Sequence, residues 1–164
     1  MIPKKVSAEL KEYICTGFTL IKESKDFNDQ EKKNLLSSLL SLGAGVAWRP
    51  VEITHEAIKL FVENDFKVPK GLERAHIYHR RDTMRELMNR DWECGEWWEW
   101  YKERDYTVLS TRQENRDESN FHSVKKLEVP KDMMLFWGKR VGFEYGQLEK
   151  EFIIGAAREL GFIS

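Results

Sequence analysis

The chain is poor in the residues that staple small folds. It has two cysteines, four prolines and four histidines in 164 residues. Cys15 and Cys94 lie far apart and form no metal-ligand spacing, so neither a zinc ribbon nor a disulfide framework is expected. A reduced, cytoplasmic protein is the default. Long apolar runs are also missing; the longest, as in "FIIGAA", are too short to cross a bilayer, so no membrane partner is expected. "MIPKK" leads straight into a charged amphipathic segment with no apolar signal core. Excess charge of either sign is absent: the net charge is −1, so the whole molecule is no obvious polyanion binder. With 41% hydrophobic and 34% charged residues, the composition argues against disorder and suits one globular domain.

What is present is concentrated. Residues 70–90 carry Lys70, Arg74, Arg80, Arg81, Arg85 and Arg90 against Glu73, Asp82 and Glu86, whereas residues 93–103 are acidic. Such a stretch can contact phosphates, and on charge alone it fits a solvated face equally well. His76 and His79, half of the histidines, fall inside it. The segment "RAHIYH" follows a "PKG" turn signal and predicts a strand, which sends His76 and His79 to opposite faces. Zinc held by this pair would need cysteine or carboxylate partners at suitable spacing, and none is evident.

Around this stretch the periodicity is helical. Val6, Leu10, Tyr13, Ile14, Phe18 and Ile21 predict a helix over residues 7–24. Asn28 and Glu31 form a capping-box pattern ahead of an apolar stripe of Leu35, Leu36, Leu39, Leu40 and Leu42, which Gly43 and Gly45 should stop. Pro50 marks a turn, and Thr54 can cap a third helix with Ala57, Ile58, Phe61 and Val62 inward. These three helices read as a scaffold. Asp82 can cap a helix through Thr83, Met84, Leu87 and Met88. "DWECGEWWEWYKERD" holds Trp92, Trp97, Trp98 and Trp100, whose spacing favours burial over base stacking. "YTVLS" predicts a second strand, and Thr111 with Glu114 caps a helix that begins at once, leaving Asn115 in its first turn. The last third reads as helical, first through Met133, Phe136 and Trp137, then along Tyr145, Leu148, Phe152, Ala156 and Leu160 to Gly161.

Four stretches in this order resemble a known family. "ITHEAIKLFV" (53–62) is similar to the segment that precedes the motif in phage-type HNH (His-Me finger, ββα-metal) endonucleases. "VPKGLERAHI" (68–77) looks like their turn into the histidine-bearing strand, and "HIYHRR" (76–81) like that strand's end. "TVLSTRQEN" (107–115) resembles their strand-to-helix junction. The likeness covers residues 53–120, under half of the chain.

The resemblance implies an α+β, mostly helical fold with a ββα-metal motif embedded among amphipathic helices. It gives one domain: a helical scaffold (1–52), the HNH-like region (53–121) and C-terminal helices (122–164). The implied activity is divalent-metal-dependent hydrolysis of DNA phosphodiester bonds, with Mg²⁺ or Mn²⁺ as cofactor; RNA as substrate and a homodimer both stay open. His76 would be the general base, because an imidazole titrates near neutrality. Asn115 would hold the metal, with Asp82 as a further oxygen donor; Glu73 and Asp105 are other candidates. Arg80 would act near the scissile strand, and Arg74, Arg80, Arg81, Arg112 and Arg116 would bind nucleic acid. His55 matches an upstream histidine whose family role is mostly structural. Two positions depart from the pattern. Ala75 stands where many members have a metal-binding aspartate, and Tyr106 where the middle asparagine falls. Residues 81–104 are long for the family's loop and read as an inserted helix. A non-catalytic nucleic-acid-binding module on the same fold, or a helical protein-interaction domain, are the rival readings.

Overall fold

A computed structural model describes residues 7–42, 48–117, 121–137 and 142–164. In chain order the elements are α1 (Ala8–Glu23), α2 (Asp29–Leu42), β1 (Pro50–Thr54), α3 (His55–Glu63), β2 (Leu72–His76), α4 (Arg80–Asn89), α5 (Cys94–Arg104), β3 (Thr107–Thr111), α6 (Arg112–Arg116), β4 (Lys126–Glu128) and α7 (Gln147–Glu159). Among the described residues this is an α+β fold, about half helical, with seven helices and one four-stranded sheet. The chain divides into two compact units: residues 1–47 with 76–106, and residues 48–75 with 107–164.

The first unit is helical. The Ser7 side chain accepts from the Leu10 N–H at 3.1 Å and starts α1. Asn28 accepts from the Gln30 and Glu31 N–H groups, and Glu31 accepts back from the Asn28 N–H at 2.9 Å, so the expected capping box opens α2. The leucine stripe is narrower than expected: Leu36 and Leu40 are buried and Leu35 is exposed. The Gly43 and Gly45 stop lies outside the described residues. Gly17 lets the two helices close up, since a Cβ there would stand 3.1 Å from Leu39. Ile14 and Phe18 meet Leu87 of α4 and Trp97 of α5 in the core, with Phe18 stacked on Trp97 at 4.6 Å. Trp98 is buried as well, whereas Trp92 and Trp100 sit at the margin beneath Arg90 and Arg104 at 4.1 and 4.3 Å. Burial therefore accounts for Trp97 and Trp98, and packing under arginines for Trp92 and Trp100. Cys15 is buried and disulfide-bonded, where reduced thiols were expected from the sequence. Distance along a chain sets no distance in a fold.

The second unit is built on the sheet, in the order β2-β3-β1-β4. β1 runs parallel to β3, with Ile53 opposite Leu109, and antiparallel to β4. Arg112 donates to the Gly71 carbonyl just past one end of the β2–β3 pairing, and Ile77 to the Tyr106 carbonyl just past the other. That pattern makes β2 and β3 antiparallel. Ile53, Leu109, Ala57, Ile58 and Phe61 pack with Ile153, Ala156 and Ala157 of α7. α3 thus belongs with the sheet and α7, not with α1 and α2 as one scaffold.

Several expected boundaries move. β1 was not expected, because Pro50 reads as a turn; proline is tolerated as the first residue of a strand. β2 stops at His76, and His79 is the N-cap of α4. His79 and Arg80 are therefore not strand residues, and Asp82 lies inside the first turn instead of capping it. Residues 131–137 are turns, not the expected helix, and Met134 and Phe136 have φ of 52° and 58°, which no helix accommodates. In α7 the core face is Ile153, Ala156 and Ala157, while Leu148 is exposed. Gly161, at φ 71°, ends that helix as expected: its N–H and that of Phe162 close back onto Arg158 and Ala157.

Candidate functional site

The sheet unit gathers polar groups where β3 becomes α6. Thr111 closes the strand and accepts from the Glu114 N–H at 3.2 Å. One oxygen of Glu114 accepts from the Thr111 N–H at 2.9 Å and its hydroxyl at 2.9 Å. The same oxygen takes the Thr54 hydroxyl at 2.8 Å, and Thr54 in turn caps α3 through the Ala57 N–H. A single carboxylate therefore ties together the two strand-to-helix junctions of the parallel pair. The capped turn presents Asn115, whose side-chain nitrogen donates to Glu73 of β2 at 2.9 Å. Arg112 donates to the other Glu73 oxygen at 2.6 Å. The Asn115 hydrogen bond, then Arg112, hold the Glu73 carboxyl below the usual carboxylate value. Since a carboxylate only accepts, the Asn115 amide nitrogen must face Glu73, and its Oδ1 is turned elsewhere. Beside this junction a cleft of about 620 Å³ is lined by Lys59, Lys70, Arg112, Glu114, Asp117 and Phe121, among others.

The helical unit holds a second polar cluster. His76 Nε2 lies 3.6 Å from Asp105 Oδ1, with the imidazole 16% and the carboxylate 3% exposed. Asp105 caps the end of α5 and its N–H bonds the Tyr101 carbonyl. The Tyr101 side chain hydrogen-bonds Asp105, and its phenol is pushed far up by burial and then by the Asp105 charge, with Arg80 opposing. Arg80 donates to the Ser37 hydroxyl at 2.6 Å.

His76 is thus brought together with Asp105 and Tyr101, and Asn115 with Glu73 and Arg112. Arg80, expected near the scissile strand, is bonded within the helical unit. Arg74 is engaged too: it donates to the Trp48 carbonyl at 3.2 Å and lies over the Trp48 ring. Asp82 pairs with Arg85 at 2.8 Å. Arg81 and Arg116 are exposed. His55 opens α3, its N–H bonded to the Lys125 carbonyl. Tyr101 carried no functional signal in the sequence, because its helical spacing reads as core. Asp105 was visible only as an oxygen donor beside Tyr106.

Oxygen chemistry suits a hard divalent cation, and the Asn115 Oδ1 is such a donor. Glu73 is already neutralised by Arg112, and no group of three His, Cys, Asp or Glu among the described residues is placed to hold a metal. Ala75 is 2% exposed, so an aspartate there would be buried in the strand's packing. Among the described residues no helix is long and apolar enough to cross a membrane. No family model, curated protein or solved structure matches the chain.

Proposed function

We propose that the chain is a divalent-metal-dependent endonuclease acting on DNA phosphodiester bonds, with β2, β3 and α6 as a ββα-metal motif and α4 and α5 inserted between its strands. The observation that supports this reading is the junction at Asn115. β3 runs directly into a capped helix whose Asn115 is fixed by Glu73 of the antiparallel strand β2, and β2 ends at His76. His76 takes the proton of the attacking water. Asn115 offers its Oδ1 to Mg²⁺ or Mn²⁺, which supplies positive charge to the scissile phosphate when bound. Arg81 and Arg116 contact neighbouring phosphates.

Purified protein incubated with supercoiled plasmid and magnesium or manganese should give nicked or linear DNA, and chelator should stop it. RNA is the second substrate to try. No product with either metal or nucleic acid favours the second reading, a nucleic-acid-binding module without cleavage. The buried Ala75 and the Glu73–Arg112 ion pair are the observations behind that alternative. Its mark is binding that weakens steeply with salt while the substrate stays intact.

A further inference from the structure

One row of side chains in the helical unit is unused by the nuclease reading. Arg90 lies over the Trp92 ring at 4.1 Å, and the Trp92 and Trp100 ring centroids are 4.9 Å apart. Arg104 lies over Trp100 at 4.3 Å and over Tyr78 at 4.7 Å. Flat cations and flat rings attract, so the row is self-supporting. It ends at Tyr78, which is 47% exposed and sits on the short link between β2 and α4. A tyrosine on such a link would ordinarily swing; contact with Arg104 holds this ring in place. Arg104 is itself tied to Glu86 of α4 at 3.3 Å.

Charge decides what this open end can take. Glu86 offsets Arg104 and Glu96 offsets Arg90, so the row offers a flat ring rather than a charge. Arg81, three residues past Tyr78 in the first turn of α4, is exposed and positive. The chain around the other end is acidic, with Asp91, Glu93 and Glu103 exposed. A ligand with a flat ring on an anionic chain is therefore drawn to the Tyr78 end and repelled from the Arg90 end. A nucleotide has that chemistry. In a duplex each base is already stacked on its neighbours, so only an unpaired base can lay a face on Tyr78.

We propose that Tyr78 is a stacking platform for an unpaired nucleobase, with Arg81 taking the adjacent phosphate, so that the chain prefers single-stranded or locally opened DNA. Any role in cleavage rests on the nuclease reading, since Tyr78 follows His76 by two residues. The test needs no cleavage. Fluorescence anisotropy of the full chain in chelator measures binding to a short labelled oligodeoxythymidine, alone and annealed to oligodeoxyadenosine. Wild type should bind the single strand more tightly than the duplex. Tyr78→Ala should weaken single-strand binding by ~5- to 100-fold, the worth of one stacked base, and leave duplex binding unchanged. Tyr78→Leu, which keeps apolar bulk without a stacking face, should fall with it, and Tyr78→Phe should bind as wild type. Arg81→Gln should weaken binding and flatten its salt dependence. No preference for the single strand, or wild-type affinity in both Tyr78→Ala and Tyr78→Leu, overturns the proposal. If plasmid stays intact while Tyr78 governs single-strand binding, the nuclease reading fails alone. If plasmid is cut while the Tyr78 variants bind as wild type, the stacking platform fails alone.

Discussion

His76 and Asn115 are each held by a carboxylate, in opposite surroundings. Asp105 is 3% exposed and its partners are an imidazole and a buried phenol. Glu73 has a third of its side chain exposed and faces a guanidinium and an amide. Burying a carboxylate is costly, so Asp105 persists only while its partners stay in place, and it constrains them in return. Glu73 is screened by water and contributes little to stability, yet it orients the Asn115 amide. The buried pair is therefore the more constrained of the two. The exposed pair is the more adjustable.

Three substitutions sharpen this contrast. The largest effect on stability is expected from Asp105→Ala, which strands the buried Tyr101 hydroxyl and removes the carboxylate beside His76: a loss of about 3 kcal/mol in urea unfolding. Glu73→Ala measured alongside should cost under about 1 kcal/mol. Equal losses would erase the difference between the clusters. Next comes Glu114→Ala, which removes one acceptor from the hydroxyls of Thr54 and Thr111. Loss of about 1–2 kcal/mol is expected, within the range of a helix cap.

The smallest effect is a pH dependence. The Glu73 carboxyl is lowered in the folded chain, so its contribution is fully present above the usual carboxylate value. It is lost as pH falls through the lowered value. The stability difference between wild type and Glu73→Gln should thus be constant near neutrality and vanish in acid. A difference that grows in acid would mean that Glu73 is not held by Arg112 and Asn115.

The parts of this arrangement that depend on neighbours in sequence were legible there. Asn28 with Glu31, Thr54 with Ala57, and Thr111 with Glu114 are contacts three residues apart, and each forms as the pattern indicates. The parts that depend on distant residues were not. β1 was hidden by its leading proline, and β4 has only three residues. The Met133–Phe136–Trp137 spacing imitated a helix that left-handed backbone at Met134 and Phe136 forbids. His79 and Arg80 followed a strand-like run, but β2 ends at His76 and three residues separate it from α4. Nothing local distinguishes a buried Asp105 from an ordinary helix-end aspartate. Its partner His76 is 29 positions earlier in the chain.

The most direct test of the nuclease account is the single-turnover rate of plasmid cleavage by wild type, His76→Ala and Asn115→Ala across a range of magnesium concentrations. His76→Ala should lose ~10²–10⁴-fold at every concentration, since a missing base is not restored by metal. Asn115→Ala should be slow at low magnesium and recover as it rises. Wild-type rates in both variants would contradict the account and place any cleavage elsewhere in the chain.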